Sequence, residues 1–116
     1  MQIHKMVDLS FLKKFTKENP AKMKRYISMY LDIAPEILDR MKQDIEQENW
    51  ESLAINAHSL KPQTDYMGIN TLKDVLISIE NKAIQGQNKE LSSLLEKAYD
   101  IHNKSVHLLN LHMQDL

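Results

Sequence analysis

The chain has 116 residues, a length that fits one compact domain, with 42% hydrophobic and 27% charged residues and a formal net charge of −1. The near-neutral charge gives nucleic-acid binding no electrostatic basis, the absence of cysteine excludes disulfides and thiolate metal sites, and no apolar window approaches the length of a membrane span. Two Gly and three Pro are too few for the turns of a β-rich fold, so we expect one all-α domain over residues 1–116. We also expect a cytoplasmic location and, given the initial Met, a free-standing protein.

Capping residues mark the first two predicted helices. Asp8 is expected to cap a short helix that ends near Glu18. Asn19 followed by Pro20 combines an N-cap residue with proline at the first helical position, which is a strong start signal. Apolar residues then recur at helical spacing, and Pro35 interrupts them, so we expect either a kink or a break at that point.

Start and stop signals predict three further helices. The third helix is predicted over residues 50–67, and the fourth and fifth follow it with short connections. The boundary residues are, in chain order, Asn49, Gly68, Asn70 or Thr71, Gly86 and Asn88. Connections of two to four residues favour antiparallel neighbours. The sequence therefore predicts an antiparallel up-down four-helix bundle with a short additional N-terminal helix.

The third helix has an apolar stripe and an outward histidine. At about 100° per residue, the stripe consists of Leu53, Ala57, Leu60, Thr64 and Met67. His58 lies roughly 130° from the centre of this stripe, so its side chain is expected to face solvent. The residues predicted to share its face are Glu51, Ala54, Ile55, Lys61, Pro62 and Asp65.

An exposed histidine with a lysine three residues later is suited to carrying a phosphoryl group. Neutral imidazole is a competent nucleophile near its unperturbed pKa of about 6.5. The spacing places Lys61 over the same patch as His58, where its charge can offset that of a phosphoryl group and favour the neutral ring. Ala54, one turn before His58, leaves room for a partner to approach.

The segment AHSLKPQTDYMGI, residues 57–69, resembles the signature of histidine phosphotransfer domains. The matching positions are Ala57, His58, Lys61, Met67 and Gly68, and the likeness extends to Asn49-Trp50, Leu72, Leu76 and Ile79-Glu80. It covers most of residues 8–95. The resemblance implies a phosphorelay intermediate: His58 accepts a phosphoryl group from a phospho-aspartate on one receiver domain and passes it to another, with Lys61 as electrostatic support.

The resemblance also implies the partners and cofactors. The partners are the receiver domains of hybrid histidine kinases and response regulators, and Mg²⁺ is expected only in the receiver's own acidic pocket. Around His58 the sequence shows no Gly-rich phosphate loop, nucleotide site or acidic pair with metal-ligand spacing. We therefore expect a monomeric carrier without autonomous kinase activity, without a cofactor of its own, and with no nucleic-acid or membrane partner.

Pro62 departs from the family pattern, which usually has glycine at this position. Proline has no N–H to donate to the carbonyl of His58, so the helix is expected to bend or loosen at that turn. The residues predicted to contact a docked partner are Ala54, Ile55, Pro62 and Asp65. For Ile55 two placements stay open, exposed beside His58 or packed under the preceding helix.

Two other functions remain possible on the sequence alone. One is a module of the same fold that docks a receiver without accepting phosphate, and the other is a structural bundle with an accidental motif. Metal binding is not expected. His102, His107 and His112 recur every five residues, a step that rotates them about 140° apart around a helix.

Overall fold

The structure is a computed structural model that describes residues 6–116, and this part of the chain contains helices and no strand. The helices are α1 (Ser10–Phe15), α2 (Pro20–Glu46), α3 (Trp50–Met67), α4 (Asn70–Gln85) and α5 (Leu91–Gln114). Helices α2 to α5 pack consecutively, α5 closes the bundle against α2, and α1 lies on α3. The predicted four-helix bundle with an extra N-terminal helix is confirmed.

The helices share one apolar core. All five residues of the stripe predicted on α3 are fully buried, and the apolar residues of α4 meet them from the next helix. Burying each large aliphatic side chain stabilises the fold by about 1.5–3 kcal/mol. Within residues 6–116, no helix is both long enough and apolar enough to cross a membrane.

The helix caps follow from local sequence. The Asn19 side chain accepts a hydrogen bond from the Lys22 backbone N–H at 3.1 Å, and Asn49 does the same for Ser52 at 3.2 Å. Each bond satisfies an N–H that the first helical turn leaves without an intrahelical partner. Gly68 ends α3 with a φ of +63°, in the left-handed region. The predicted bounds of α3 are therefore confirmed at both ends.

The predicted extent of the first helix was wrong. Helix α1 ends at Phe15 rather than near Glu18, because Lys17 and Glu18 have φ values of +54° and +57° and turn the chain into α2. The N-cap position is Leu9, not Asp8. Asp8 instead accepts hydrogen bonds from the backbone N–H and the hydroxyl of Ser10, at 3.0 and 2.6 Å.

Both internal prolines lie inside unbroken helices. Helix α2 continues through Pro35 for 27 residues, so the break considered there was wrong. Helix α3 likewise continues through Pro62. A proline inside a helix costs about 3 kcal/mol. Ala34, Ile37 and Leu38 are buried around Pro35, and this packing holds α2 in one piece.

Gly68 attaches the N-terminal segment to the bundle. The Asp8 backbone N–H donates to the Gly68 carbonyl oxygen at 3.2 Å. A Cβ atom on Gly68 would overlap the Asp8 carbonyl oxygen. This glycine therefore serves two purposes, a left-handed helix end and a close contact that fixes α1 against the end of α3.

Candidate functional site

His58 lies on the outer face of α3, with 67% of its side chain exposed. Its neighbour Ala57 is fully buried, so the backbone of α3 is held by the core while the imidazole projects from it. The predicted outward direction of His58 is confirmed. The site is consequently open to a partner that approaches the flank of the bundle.

A carboxylate from the next helix holds the imidazole. Glu80 on α4 places its Oε2 atom 3.0 Å from Nδ1 of His58. Its other oxygen, Oε1, lies 2.8 Å from Nζ of Lys61. Glu80 thus bridges the two residues that the sequence singled out, and only 17% of its side chain is exposed.

The charge on Glu80 decides which nitrogen of His58 is free. The hydrogen bond from Lys61 holds the pKa of the Glu80 carboxyl below its usual range, although partial burial opposes this. An ionised carboxylate only accepts hydrogen bonds, so Nδ1 of the neutral ring carries the proton and Nε2 keeps its lone pair. Within residues 6–116, Nε2 has no hydrogen-bond partner.

The sequence analysis assigned no role to Glu80, although it lies in the segment that resembles the family. The helical count covered only α3, and Glu80 reaches His58 from 22 residues further along the chain. A usable signal was present, because Glu80 directly follows Ile79 in the buried stripe of α4 and so borders the α3–α4 seam. Lys61 shares the Glu80 carboxylate with His58, and 22% of its side chain is exposed. The pairing with Glu80 was not predicted from the sequence.

An apolar groove of about 760 Å³ runs beside His58 between α3 and α4. Two exposed isoleucines border it, Ile55 on α3 and Ile84 on α4, with exposed fractions of 61% and 69%. Its remaining lining consists of Trp50, Glu51, Ala54, His58, Ser59, Glu80 and Ala83. Of the two placements left open for Ile55, the exposed one is confirmed. Ala54 is buried and forms part of the groove wall.

The other two predicted docking residues lie outside the groove. Pro62 is exposed one turn after His58, away from Ile55. Asp65 is also exposed, and its Oδ1 atom pairs with Nζ of Lys73 at 2.8 Å. The structure therefore divides the predicted docking set, with Ala54 and Ile55 on one side of His58 and Pro62 and Asp65 on the other.

The histidines of α5 do not form a cluster. His102 is buried, and its Nδ1 atom lies 3.0 Å from the Tyr30 hydroxyl. His107 and His112 are exposed. In the part of the chain that the structure describes, no three His, Asp or Glu side chains are grouped so as to hold a metal ion.

Comparison with known proteins gave one family. The sequence model of the Hpt domain matches residues 25–116, which include α3, α4 and the whole His58 site. Neither the curated proteins nor the solved structures gave a match.

Proposed function

The chain belongs to the Hpt domain family, whose members have a phosphotransfer role in two-component signalling and interact with receiver domains, and from this premise we propose that it is a phosphorelay intermediate with His58 as phosphoryl acceptor. In this proposal a receiver domain carrying a phospho-aspartate donates the group, and a second receiver accepts it. The observation that carries the proposal is the hydrogen bond between Glu80 and Nδ1 of His58, which leaves Nε2 as an exposed nucleophile.

The transfer step is a displacement at phosphorus. The lone pair of Nε2 attacks, the N–P bond forms, and the bond between phosphorus and the aspartate oxygen breaks, so that the aspartate carboxylate leaves with the electron pair. No proton has to leave Nε2, because the ring proton is already on Nδ1. A general base is therefore unnecessary, and the reverse step passes the group to the second receiver.

Glu80 and Lys61 support this step through charge. Attack by Nε2 makes the ring cationic, and the Glu80 carboxylate at 3.0 Å from Nδ1 stabilises that charge. Uncompensated, the same carboxylate would repel the incoming phosphoryl group. Lys61, 2.8 Å from Glu80, offsets its charge. Lys61 thus provides the predicted electrostatic support through Glu80 as well as directly.

The surface around His58 is suited to a protein partner. The groove with Ala54 and Ile55 offers apolar contact on one side of the imidazole, and Pro62 and Asp65 border it on the other. The Mg²⁺ that the reaction needs is assigned to the receiver, and the chain itself to a carrier without kinase activity. Its monomeric state and cytoplasmic location stay predictions.

Transfer of a radiolabelled phosphoryl group tests the proposal. Receiver domains phosphorylated on aspartate are mixed with the protein, and we expect acid-labile, base-stable label on the wild type and none on His58→Gln. His107→Gln, which removes an exposed histidine from α5, is the matched control and should label like the wild type. Failure of the wild type to label with any receiver would favour a docking module that is not phosphorylated.

A further inference from the structure

Four aromatic rings form a partly exposed cluster near the end of α3. Phe11 and Phe15 of α1 meet Tyr26 of α2 and Tyr66 of α3, with ring centroids 5.2–6.0 Å apart. Both phenylalanines are 51% exposed. Large apolar side chains scattered singly over a surface are ordinary, but a contiguous group from three helices marks an interaction surface. We call these four residues the aromatic cluster.

The chain segment that supplies most of this cluster is strongly basic. Residues 11–26 contain six cations and a single acid, Glu18, which gives a net charge of +5 in a chain whose total is −1. We call these six cations the cationic segment: Lys13, Lys14, Lys17, Lys22, Lys24 and Arg25. All six are exposed, and within residues 6–116 none forms an ion pair. The near-zero net charge of the whole chain conceals this local excess of positive charge.

The aromatic cluster lies beyond His58 along α3, on the flank of the helix that α1 and α2 cover. Tyr66 follows His58 by eight residues, so it lies about 12 Å further along the helix and is rotated about 80° around it. Pro62 is exposed halfway between them. The contact between Asp8 and Gly68 fixes α1 against this end of α3, so the phenylalanines have a set position relative to the imidazole. His58 therefore lies between the apolar groove and the aromatic cluster.

A protein interface of standard size is large enough to cover both His58 and the aromatic cluster. A standard interface covers about 800 Å² on each partner, equivalent to a disc with a radius of roughly 16 Å. A partner centred on His58 over such an area reaches Tyr66. Building on the proposed function, we propose that the aromatic cluster and the cationic segment form a second contact for the receiver domain that docks on His58, and that this contact takes an acidic surface of the receiver.

Charge distinguishes this occupant from a second copy of the chain. A two-fold symmetric dimer through this surface would place one cationic segment against the other, and like charges disfavour that arrangement. A receiver with acidic residues beside its phosphorylation pocket meets the opposite charge. Such a contact acts mainly on the rate of encounter and on the choice of partner, because exposed charges are attracted over distances of about 10 Å.

Charge reversal on the cationic segment tests this contact. The triple variant Lys14→Glu/Lys22→Glu/Arg25→Glu changes three exposed, unpaired cations of the segment. The matched control, Lys42→Glu/Lys89→Glu/Lys97→Glu, changes three other cations that are also exposed and unpaired, and it has the same net charge. The readout is the initial rate of phosphoryl transfer from a panel of receiver domains phosphorylated with acetyl phosphate, at about 50 mM and about 500 mM NaCl.

We expect the segment variant to accept phosphoryl groups about tenfold more slowly at low salt, and the difference to close at high salt. The control should stay within about twofold of the wild type. Equal slowing of both variants, or none, would overturn the second contact while leaving His58 as acceptor. No transfer to the wild type from any receiver would overturn the proposed function, and this contact with it.

Two further measurements assign the surface to another occupant if the proposal is wrong. Sedimentation equilibrium of the wild type reports self-association, and co-sedimentation with vesicles of phosphatidylglycerol and phosphatidylcholine reports membrane binding. We expect a monomer that stays in the supernatant. Dimerisation, or vesicle binding, that the segment variant abolishes would overturn the receiver as occupant.

Discussion

His58 and Glu80 are joined across two helices by a hydrogen bond of 3.0 Å between Nδ1 and Oε2. The bond fixes the orientation of an otherwise exposed imidazole and assigns its proton to Nδ1. Lys61 completes the arrangement from the other side of Glu80, at 2.8 Å. The three side chains form one electrostatic unit, so each is expected to affect phosphoryl transfer through the others.

Removing the Glu80 carboxylate should slow the transfer. Glu80→Ala leaves the imidazole proton to distribute over both nitrogens. We therefore expect the rate of phosphoryl transfer to fall by about tenfold or more, the usual cost of removing a group that fixes a histidine tautomer. Glu80→Gln retains an oxygen that accepts from Nδ1 and should lose less. Single-turnover transfer rates and nitrogen-15 NMR of the ring measure both effects. An unchanged tautomer in Glu80→Ala would refute the positioning role.

The two glycines at helix ends provide a matched pair for stability. Gly68 and Gly86 both have positive φ, at +63° and +73°, so alanine is strained at either position by about 1–2 kcal/mol. Only at Gly68 would the added Cβ overlap the backbone of Asp8, whereas nothing lies within 4 Å of it at Gly86. We expect Gly68→Ala to lower the free energy of unfolding by about 2–4 kcal/mol and Gly86→Ala by about half of that. If urea denaturation gave equal losses of unfolding free energy for the two variants, α1 would have moved away from the added Cβ atom without a loss of stability.

Replacing the internal prolines should stabilise the protein. Pro62→Ala and Pro35→Ala each add a backbone N–H inside a continuous helix, and we expect each to raise the free energy of unfolding by about 1–2 kcal/mol. Only Pro62 lies on the proposed docking face, so Pro62→Ala should also slow transfer from the cognate receiver, by about threefold to tenfold. Pro35→Ala is the control, because it should change stability without changing the rate of transfer. Equal transfer rates in the two variants would show that Pro62 makes no contact with the partner.

The buried His102 should make stability depend on pH. Burial lowers the pKa of His102, so in the folded state the ring stays neutral below its ordinary pKa of about 6.5. The unfolded chain then binds more protons than the folded one, and the free energy of unfolding falls as the pH drops through this window. His102→Gln should remove the part of this fall in unfolding free energy that is due to His102. The glutamine carbonyl can still accept from the Tyr30 hydroxyl. The measurement is urea unfolding at about pH 7.5 and about pH 5.5.

The exposed His107 is the control for this pH dependence, because His107→Gln leaves the buried ring in place. We expect His107→Gln to follow the wild type at both pH values, while His102→Gln gains stability relative to it on acidification. The same pH response in all three proteins would mean that His102 titrates as it does in the unfolded chain.

Features set by neighbouring residues in the chain were predictable. Asn49, Gly68 and the stripe of α3 act within one helix, where a rotation of about 100° per residue decides what is buried. The end of α1 was not predictable in this way, because Lys17 and Glu18 adopt left-handed backbone conformations only where the chain turns into α2. Residues other than Gly and Asn rarely signal such a conformation.

Contacts between helices account for what the sequence analysis missed. Glu80 meets His58 across the α3–α4 seam, and the aromatic cluster assembles rings from three helices. The angular offset between two helices is set by core packing and not by either sequence alone. For this reason His58 could be predicted as the acceptor from α3 alone, whereas Glu80, which accepts the hydrogen bond from its Nδ1, could not.

The most direct test is to locate the phosphoryl group itself. The wild type, phosphorylated by a receiver domain and kept at alkaline pH, is digested and sequenced by mass spectrometry with electron-transfer fragmentation, and nitrogen-15 NMR of the intact protein reports the modified ring nitrogen. The account predicts a single phosphoryl group on Nε2 of His58. Phosphate on His102, His107, His112 or a carboxylate, or on Nδ1 of His58, would contradict it.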